Sequence, residues 1–207
     1  MEKLKKILTK NAKWIAMFII ALLFAYIVNR IYKDNIYRFD NQIYKTIVIF
    51  MNPVVTKILK VLTHFGDWMI MIPISIGIII KNRKCGILVS INLISIFILN
   101  QTLKLIFNRP RPEGNRLIEA SGYSFPSGHS MVSMAFYGLL IYLANKNIKN
   151  RMLKYIMCVL LTLLILVIGV SRIYLGVHYA TDVVGGFLIS LAYLIIFTHV
   201  IKQKEQL

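Results

Sequence analysis

Three short segments of the chain carry residue types that bind anions and move protons. They are Lys104 with Asn108-Arg109-Pro110-Arg111-Pro112, then Ser124-Phe125-Pro126-Ser127-Gly128-His129-Ser130, then Ser171-Arg172 with His178 and Asp182. Guanidinium groups bind phosphate oxygens in pairs, and an ammonium group adds a mobile positive charge. If the three segments converge, they form a site suited to a phosphate dianion that also contains two imidazoles.

The spacing of the third segment indicates a nucleophile and its partner. His178 and Asp182 are four residues apart, which places them on one face of a helix. A carboxylate there accepts the Nδ1–H of the imidazole and presents Nε2 as a nucleophile. His129 is the other histidine of these segments, and it could protonate a leaving oxygen.

The second segment has the composition of a helix start that binds an anion. Pro126 fits the first turn of a helix, and the N–H groups of Ser127, Gly128 and His129 would then face the anion along the helix dipole. Gly128 would allow the backbone to approach the oxygens closely. We therefore predict that Ser127 and Gly128 bind phosphate together with Lys104, Arg111 and Arg172.

Each segment taken alone also has a purely structural interpretation. The cations could extend to lipid headgroups from helix ends. The pair His178 and Asp182 could be a structural hydrogen bond, and Ser127-Gly128-His129 could be a simple helix-start turn. Three such coincidences on one face of the protein are less plausible than a single site.

The composition shows which kind of protein positions these residues. Of the 207 residues, 57% are hydrophobic and 16% charged, against roughly 45–50% and 25% in soluble domains. This excludes a soluble enzyme and a disordered chain and predicts an integral membrane protein. Two cysteines are too few for a disulfide framework or a four-cysteine zinc site. A net charge of +17 would suggest nucleic acid in a soluble protein, but its distribution along this chain gives membrane orientation instead.

The apolar runs predict an all-α bundle of six transmembrane helices. A span needs about 20 predominantly apolar residues. The second run reaches that length only if it extends back to about Val61 and includes His64 and Asp67, which we interpret as a headgroup contact or a polar turn. The six runs are Trp14–Asn29, Trp68–Ile80, Cys85–Leu103, Ser130–Asn145, Tyr155–Ser171 and Val183–Ile201.

The basic residues predict the orientation. With six spans, both tails and two loops fall on one side and carry 14 of the 25 Lys and Arg residues. The positive-inside rule places that side in the cytoplasm. The chain is therefore expected to be a multi-pass protein of the cell membrane with both termini cytoplasmic and the three segments on the extracytoplasmic side. We predict no nucleic-acid partner.

The segment between the first two spans is expected to form two short helices in the outer membrane interface. Apolar residues recur there at helical spacing between Arg30 and Leu62. Asp40 is the predicted N-cap of the first helix, and Asn52-Pro53 is the predicted break. The alternative is an irregular loop packed on the bundle.

The three segments together resemble the signature of the type 2 phosphatidic acid phosphatase superfamily. That signature is K-x6-R-P, then P-S-G-H, then S-R-x5-H-x3-D, and every motif residue and internal spacing is present here in order. Six residues separate Lys104 from Arg111, so Arg111 is assigned to the motif. Arg109 lies too close, and we expect it to contact headgroups at the interface or to contribute to the local field. In size and layout the chain is most similar to small bacterial phosphatidylglycerophosphate and undecaprenyl-pyrophosphate phosphatases.

The resemblance implies a mechanism. His178 would attack phosphorus and form a phosphohistidine, Asp182 would steady its imidazole, and His129 would protonate the departing oxygen. Lys104, Arg111, Ser127, Gly128 and Arg172 would bind the phosphate, and no metal or cofactor is expected. The motifs lie between Lys104 and Asp182, and the six-span layout extends the resemblance over most of the chain. We therefore predict one membrane phosphatase domain over residues 1–207.

The residues leave the exact reaction and substrate open. The lipid could be undecaprenyl pyrophosphate, phosphatidylglycerol phosphate or phosphatidic acid, since all three share the group that the motifs hold. A lipid phosphotransferase using the same site is the first alternative, and a non-enzymatic transporter is a remote one. The oligomeric state does not follow from the sequence.

Overall fold

Eight α-helices and one 3-10 turn build the described part of the chain, without a strand. The structure is a computed structural model that describes residues 2–33, 36–114 and 116–204. The predicted all-α class is confirmed. The helices are α1 (Glu2–Tyr32), α2 (Tyr37–Val48), α3 (Pro53–Thr63), α4 (Trp68–Lys81), α5 (Arg83–Phe107), α6 (Gly128–Asn147), α7 (Arg151–Tyr174) and α8 (Ala180–Lys204), with the 3-10 turn at His64–Gly66 between α3 and α4.

Four of the described helices are long and apolar enough to cross a membrane: Asn11–Tyr32 within α1, and α5, α7 and α8. The number rises to five if α2 and the segment Pro53–Gly66, whose axes differ by 117°, form one bent span. Helix α4 is apolar but has only 14 residues, fewer than the roughly 20 that a straight span needs. Helix α6 is largely enclosed by its neighbours, so its surface need not be apolar. The predicted count of six spans is therefore not confirmed.

The expected extension of the second span back to Val61 is wrong. The chain turns at His64–Gly66, and α4 begins only at Trp68. The hydroxyl of Tyr137 on α6 donates a hydrogen bond of 2.7 Å to the carbonyl of Phe65 and holds this turn against the bundle.

Two helices occupy the segment between the first two apolar runs, and the chain breaks between them where the sequence predicts. Asn52 caps α3 by accepting a hydrogen bond from the Val55 N–H at 2.9 Å, with Pro53 in the first turn. The predicted N-cap at Asp40 is wrong, because α2 begins at Tyr37 and Asp40 lies buried inside its first turn. The Asp40 carboxylate instead bonds Arg109 and Thr181, which belong to other elements.

Helix α6 lies at the centre of the bundle. It packs against α5, α7 and α8, while α1 packs on α8, α3 on α7 and α4 on α5. The approach to α8 is close at Gly138, where a Cβ atom would lie 2.5 Å from Leu194 Cδ1. The sequence places Pro126 in the first turn of α6, and this is wrong. The helix begins at Gly128, with Ser127 as its N-cap.

The three sequence segments meet at one end of this bundle. They are the last turn of α5, the start of α6 and the connection from α7 to α8. Backbone hydrogen bonds join them: the Ser124 N–H donates to the Arg109 carbonyl at 2.8 Å, and the Ser127 N–H donates to the Asp182 carbonyl at 3.0 Å. The fold therefore brings residues that are up to 78 positions apart in the chain into one place.

Candidate active site

Six of the eight predicted site residues line a single cavity of about 820 Å³. Three cations, one glycine and both imidazoles face it. They are Lys104, Arg111, Arg172, Gly128, His129 and His178. The other two residues lie behind this lining, since Asp182 and Ser127 are fully buried. The convergence that the sequence segments suggest is present in the structure.

His178 sits between a carboxylate and a guanidinium. Its Nδ1 lies 3.3 Å from Asp182 Oδ2, and its Nε2 lies 3.3 Å from Nη1 of Arg111. The arrangement fits a neutral ring that donates from Nδ1 to the carboxylate and accepts at Nε2. Nε2 thus carries the unshared electron pair of the ring, and the contact of Nδ1 with Asp182 is the one that the four-residue spacing predicts.

The surroundings of His178 keep its imidazole neutral. Burial lowers the pKa of His178 well below its ordinary value, and the positive charges of Arg111, Arg172 and Lys104 lower it further. A neutral imidazole is the nucleophilic form. The ring therefore remains available for attack at pH values below the usual histidine pKa of about 6.5.

Arg111 holds the loop before α6 against the α7–α8 connection. Its Nε and Nη2 donate to the carbonyls of Gly122 and Ser121 at 3.0 and 2.8 Å. Its Nη1 donates to the Val177 carbonyl at 2.9 Å besides approaching His178. Since a guanidinium has five N–H donors, one N–H on Nη2 is left for a ligand.

Arg172 and Lys104 carry positive charge that the described chain does not pair with an acid. Arg172 is 5% exposed and donates from Nη1 to Thr63 Oγ1 at 2.9 Å, while its buried Nε has no partner among the described residues. Lys104 lies half-buried in the cavity wall one turn before the end of α5. A buried donor without a partner costs free energy, so both side chains favour an anion in the cavity.

The backbone part of the predicted phosphate site is smaller than the sequence suggests. The Ser127 N–H donates to Asp182, and the Ser127 side chain bonds Ser130, so neither group faces the cavity. Ser127 instead acts as the N-cap that starts α6. Gly128 does face the cavity, with its Cα close to Asn100, where a Cβ atom would lie 3.0 Å from Oδ1. The amides at Gly128 and His129 remain as candidates.

Arg109 is not at the membrane interface, contrary to the expectation from its spacing. It is 3% exposed and lies between two carboxylates, with Nη1 2.6 Å from Asp182 Oδ1 and Nη2 2.8 Å from Asp40 Oδ2. The rings of Tyr37 and Tyr179 lie on its guanidinium, 5.5 and 4.0 Å from the carbon. Burial lowers the pKa of Arg109, but the two carboxylates outweigh this effect and raise it, so the residue is charged.

Asp40 completes this buried ion cluster from α2. Its Oδ1 accepts the Thr181 N–H at 2.9 Å, and its Oδ2 lies 2.8 Å from the Thr181 hydroxyl. Sequence reasoning missed the role of Asp40 and of Arg109. The signal present in the sequence is an acid on an otherwise apolar helix face and a second Arg-Pro pair next to the motif, but neither indicates its partner.

His129 is likewise held by an acid that the sequence left unassigned. Its Nε2 lies 2.7 Å from Asp67 Oδ1, and the other carboxylate oxygen lies 2.8 Å from Nδ1 of His64. The sequence predicts a headgroup contact or a polar turn for His64 and Asp67, and it does not connect them with His129. No cluster of three or more His, Cys, Asp or Glu residues with metal-binding geometry occurs among residues 2–33, 36–114 and 116–204.

Comparison with known proteins identifies the family. The family model of the PAP2 superfamily matches residues 84–206, which contain all three sequence segments. Phosphatidylglycerophosphatase B of Bacillus subtilis is 32% identical over 179 residues, covering 82% of this chain and 87% of that protein. The chain belongs to the PAP2 superfamily.

Further PAP2 relatives extend the similarity to most of the chain. An undecaprenyl-diphosphatase of Sulfolobus acidocaldarius is 26% identical in an alignment that covers 94% of this chain and 96% of that protein. The crystal structure of a transmembrane PAP2-type phosphatidylglycerolphosphate phosphatase from Bacillus subtilis superposes with a TM-score of 0.83 at 26% identity, covering 90% of this chain and 96% of that one. Asp40 and Asp67 both precede the residues matched by the PAP2 family model.

We predict that Arg109→Met destabilises the protein strongly. The change leaves the carboxylates of Asp40 and Asp182 buried without a cation, and breaking a buried ion pair in this way costs about 3–5 kcal/mol. The thermal unfolding midpoint in detergent should fall clearly. Arg116→Met is the matched control, because Arg116 lies in an exposed loop, where its partner within the described ranges is the Pro112 carbonyl. An unchanged midpoint for Arg109→Met would contradict the buried cluster.

Proposed function

We propose that this PAP2 protein hydrolyses lipid phosphate or pyrophosphate monoesters through a phosphohistidine. The observation that carries the proposal is the joint lining of one cavity by three cations and two imidazoles, with an acid behind each imidazole. The names of the phosphatidylglycerophosphatase and undecaprenyl-diphosphatase relatives support the lipid phosphate class.

The proposed reaction has two steps. Nε2 of His178 attacks phosphorus, and the bond from phosphorus to the leaving oxygen breaks while His129 gives that oxygen a proton. Asp182 stabilises the positive charge that develops on the His178 ring. A water molecule then gives a proton to the neutral His129 and attacks the phosphohistidine, which releases phosphate and restores both imidazoles.

Fixed positive charge stabilises the transition state in this proposal. Negative charge spreads over the equatorial oxygens during phosphoryl transfer, and preorganised cations lower its energy. Lys104, Arg111 and Arg172 supply three such charges, and the amides at Gly128 and His129 add donors. We infer from these charges that the reaction requires no metal ion.

The shape of the cavity supports a lipid as the substrate. Beyond the cations it continues between α4 and α5, where Ile72, Ile76, Ile94 and Phe97 line it. It reaches Ser90, which lies 14 residues before Lys104, or about 21 Å along a helix at 1.5 Å per residue. Ile76, Ile94 and Phe97 are 51%, 60% and 53% exposed, so the groove is open sideways toward the membrane. A phosphate at the polar end would therefore leave its lipid chain in this groove.

The proposed site faces the extracytoplasmic side. The basic tails and loops favour cytoplasmic termini. Lys13 Nζ lies 2.9 Å from Nδ1 of His199, and this contact between α1 and α8 is consistent with both termini lying at the end of the bundle opposite to the site.

The test of the proposed function is phosphate release by the purified protein in the presence of EDTA. The substrates are phosphatidylglycerol phosphate, undecaprenyl pyrophosphate and phosphatidic acid, and release from at least one of them is expected. We predict that His178→Asn lowers the rate by at least about 10³-fold while the protein still folds. His199→Asn, at the opposite end of α8, is the matched control and should retain the parent rate. Full activity of His178→Asn would remove this residue from the nucleophile role.

Labelled phosphate distinguishes hydrolysis from transfer to an alcohol. When the substrate is a lipid phosphate with a radiolabelled phosphoryl group, stopping the reaction should leave an acid-labile labelled phosphoryl group on the parent protein. None should be found on His178→Asn. Adding an acceptor alcohol and analysing the products shows whether the intermediate also phosphorylates hydroxyl groups. Loss of phosphate release in EDTA, restored by Mg²⁺, would contradict the metal-free mechanism.

We predict that Ile94→Trp narrows the groove and selects against long lipid chains. Overfilling a packed site costs about 1–3 kcal/mol, so KM for a long-chain lipid phosphate should rise about tenfold. KM for p-nitrophenyl phosphate, which has no chain, should not change. Ile98→Trp is the matched control, because Ile98 is 59% exposed on the same helix but does not line the cavity. An equal effect on both substrates would contradict the groove.

Accessibility of introduced cysteines tests the orientation. In a background without Cys85 and Cys158, Arg116→Cys beside the site should react with a membrane-impermeant maleimide on intact cells. Lys202→Cys near the end of α8 should react only after the membrane is opened. The reverse pattern would place the site in the cytoplasm.

A further inference from the structure

We propose that Asp67 is the positioning residue for His129, orienting its ring and stabilising its protonated form during departure of the leaving group. The inference rests on the proposed function of His129 as general acid. It concerns a residue outside the three sequence segments and outside the residues matched by the PAP2 family model.

The geometry is that of a histidine held by a carboxylate which is itself held. Nε2 of His129 lies 2.7 Å from Oδ1 of Asp67, the length of a charge-assisted hydrogen bond. Oδ2 of the same carboxylate lies 2.8 Å from Nδ1 of His64. Because each oxygen has its own imidazole partner, the carboxylate is fixed from two sides and the His129 ring cannot turn without breaking a bond.

The Asp67 side chain forgoes the usual task of a residue at its position. Asp67 is the N-cap of α4, where an aspartate ordinarily accepts a hydrogen bond from the first turn of the helix. It makes no such bond here. Such a cap stabilises a helix, so the orientation toward His129 replaces a stabilising local interaction.

The whole turn that carries Asp67 is fitted to the site. A Cβ atom on Gly66 would lie 2.8 Å from Cδ2 of His129, so only a glycine fits against the ring without a shift. Thr63, just before the turn, accepts the hydrogen bond from Arg172. One short segment between α3 and α4 therefore contacts both the proposed acid and one of the phosphate-binding cations.

The charges around His129 explain why a carboxylate is needed. Lys104 on α5 and Arg172 on α7 act on the ring, and His178 also lies within electrostatic reach. Positive neighbours disfavour an imidazolium, yet the general acid must carry a proton. Within the described ranges, Asp67 is the acidic side chain that bonds His129, and it opposes these cations.

Asp67 has the charge that this role requires. Partial burial raises its pKa, but the hydrogen bonds and positive charges of His129 and His64 outweigh that effect and lower the pKa below its ordinary value. An ionised carboxylate accepts the Nε2–H of His129. The Nδ1–H is then the proton given to the leaving oxygen, and in the second step Nδ1 takes a proton from the attacking water, while Asp67 keeps its charge throughout.

The decisive measurement is how the effect of Asp67→Asn depends on the leaving group. A lipid alkoxide is a poor leaving group and needs the proton, whereas p-nitrophenolate departs without one. We expect kcat for a short-chain phosphatidic acid to fall about 100-fold, the lower end of what general acid catalysis contributes. KM for that substrate and the pre-steady-state rate of p-nitrophenol release, which reports the first step alone, should stay close to their parent values. The alkaline limb of the kcat/KM profile should move to lower pH by about one unit, because the imidazolium loses its carboxylate partner.

Two further variants keep the test decisive. Glu113→Gln removes an acidic charge from the same end of the protein, and Glu113 does not contact His129. The rates with both substrates should stay at their parent values. Asp67→Glu retains the charge, so the alkaline limb of its kcat/KM profile should stay near that of the parent. If Asp67→Asn does not fold, the two substrates are compared with Asp67→Glu alone. Equal losses for both substrates, or no loss for the lipid, would overturn the proposal. Failure of the parent protein to release phosphate from any lipid would instead contradict the proposed function.

Discussion

The buried carboxylate of Asp182 is the constraint on which the architecture of the site depends. An isolated charge at 0% exposure is unfavourable by several kcal/mol unless it is paired and hydrogen-bonded. Burial and the neighbouring cations hold the pKa of His178 well below its ordinary value, so a neutral His178 does not balance that charge. Arg109 does so, and because Arg109 is itself buried it needs the second carboxylate of Asp40. The ion pairs behind His178 thus extend from α8 through the α5–α6 loop to α2.

A second constraint is the crowding of like charges on the cavity wall. Lys104, Arg111 and Arg172 repel one another in a partly desolvated space, and the chain relieves this only in part. Arg111 is bound to backbone carbonyls, and Arg172 to one hydroxyl, rather than to acids. Both available carboxylates point instead at the imidazoles. The cavity therefore keeps a surplus of positive charge, and a phosphate dianion is the kind of group that neutralises it.

The sequence predicts those parts of the site that depend on spacing and residue type within a segment. The four-residue step from His178 to Asp182 and the assignment of Arg111 over Arg109 are of this kind. Predictions that depend on a partner far along the chain were less successful. Asp40 has the features of an N-cap, and only the fold shows that Arg109 lies against it. The amide of Ser127 is taken by the Asp182 carbonyl, which no local pattern indicates.

The span count shows the same limit from the side of hydropathy. Each of the six apolar runs falls within a helix. Among the described residues, four helical segments are long and apolar enough to cross a membrane: Asn11–Tyr32 of α1, and α5, α7 and α8. The run in α4 is too short for a straight span, and the run in α6 lies in the central helix that its neighbours largely enclose. The polar turn at His64–Gly66 interrupts the helix before α4, and Asp67, which follows it, bonds His129. The segment between the first apolar run and α5 contributes Asp40, Thr63 and Asp67. They bond Arg109, Arg172 and His129, respectively. If Asp67 positions His129 as proposed, changes in this segment would alter proton transfer while every motif residue stays the same.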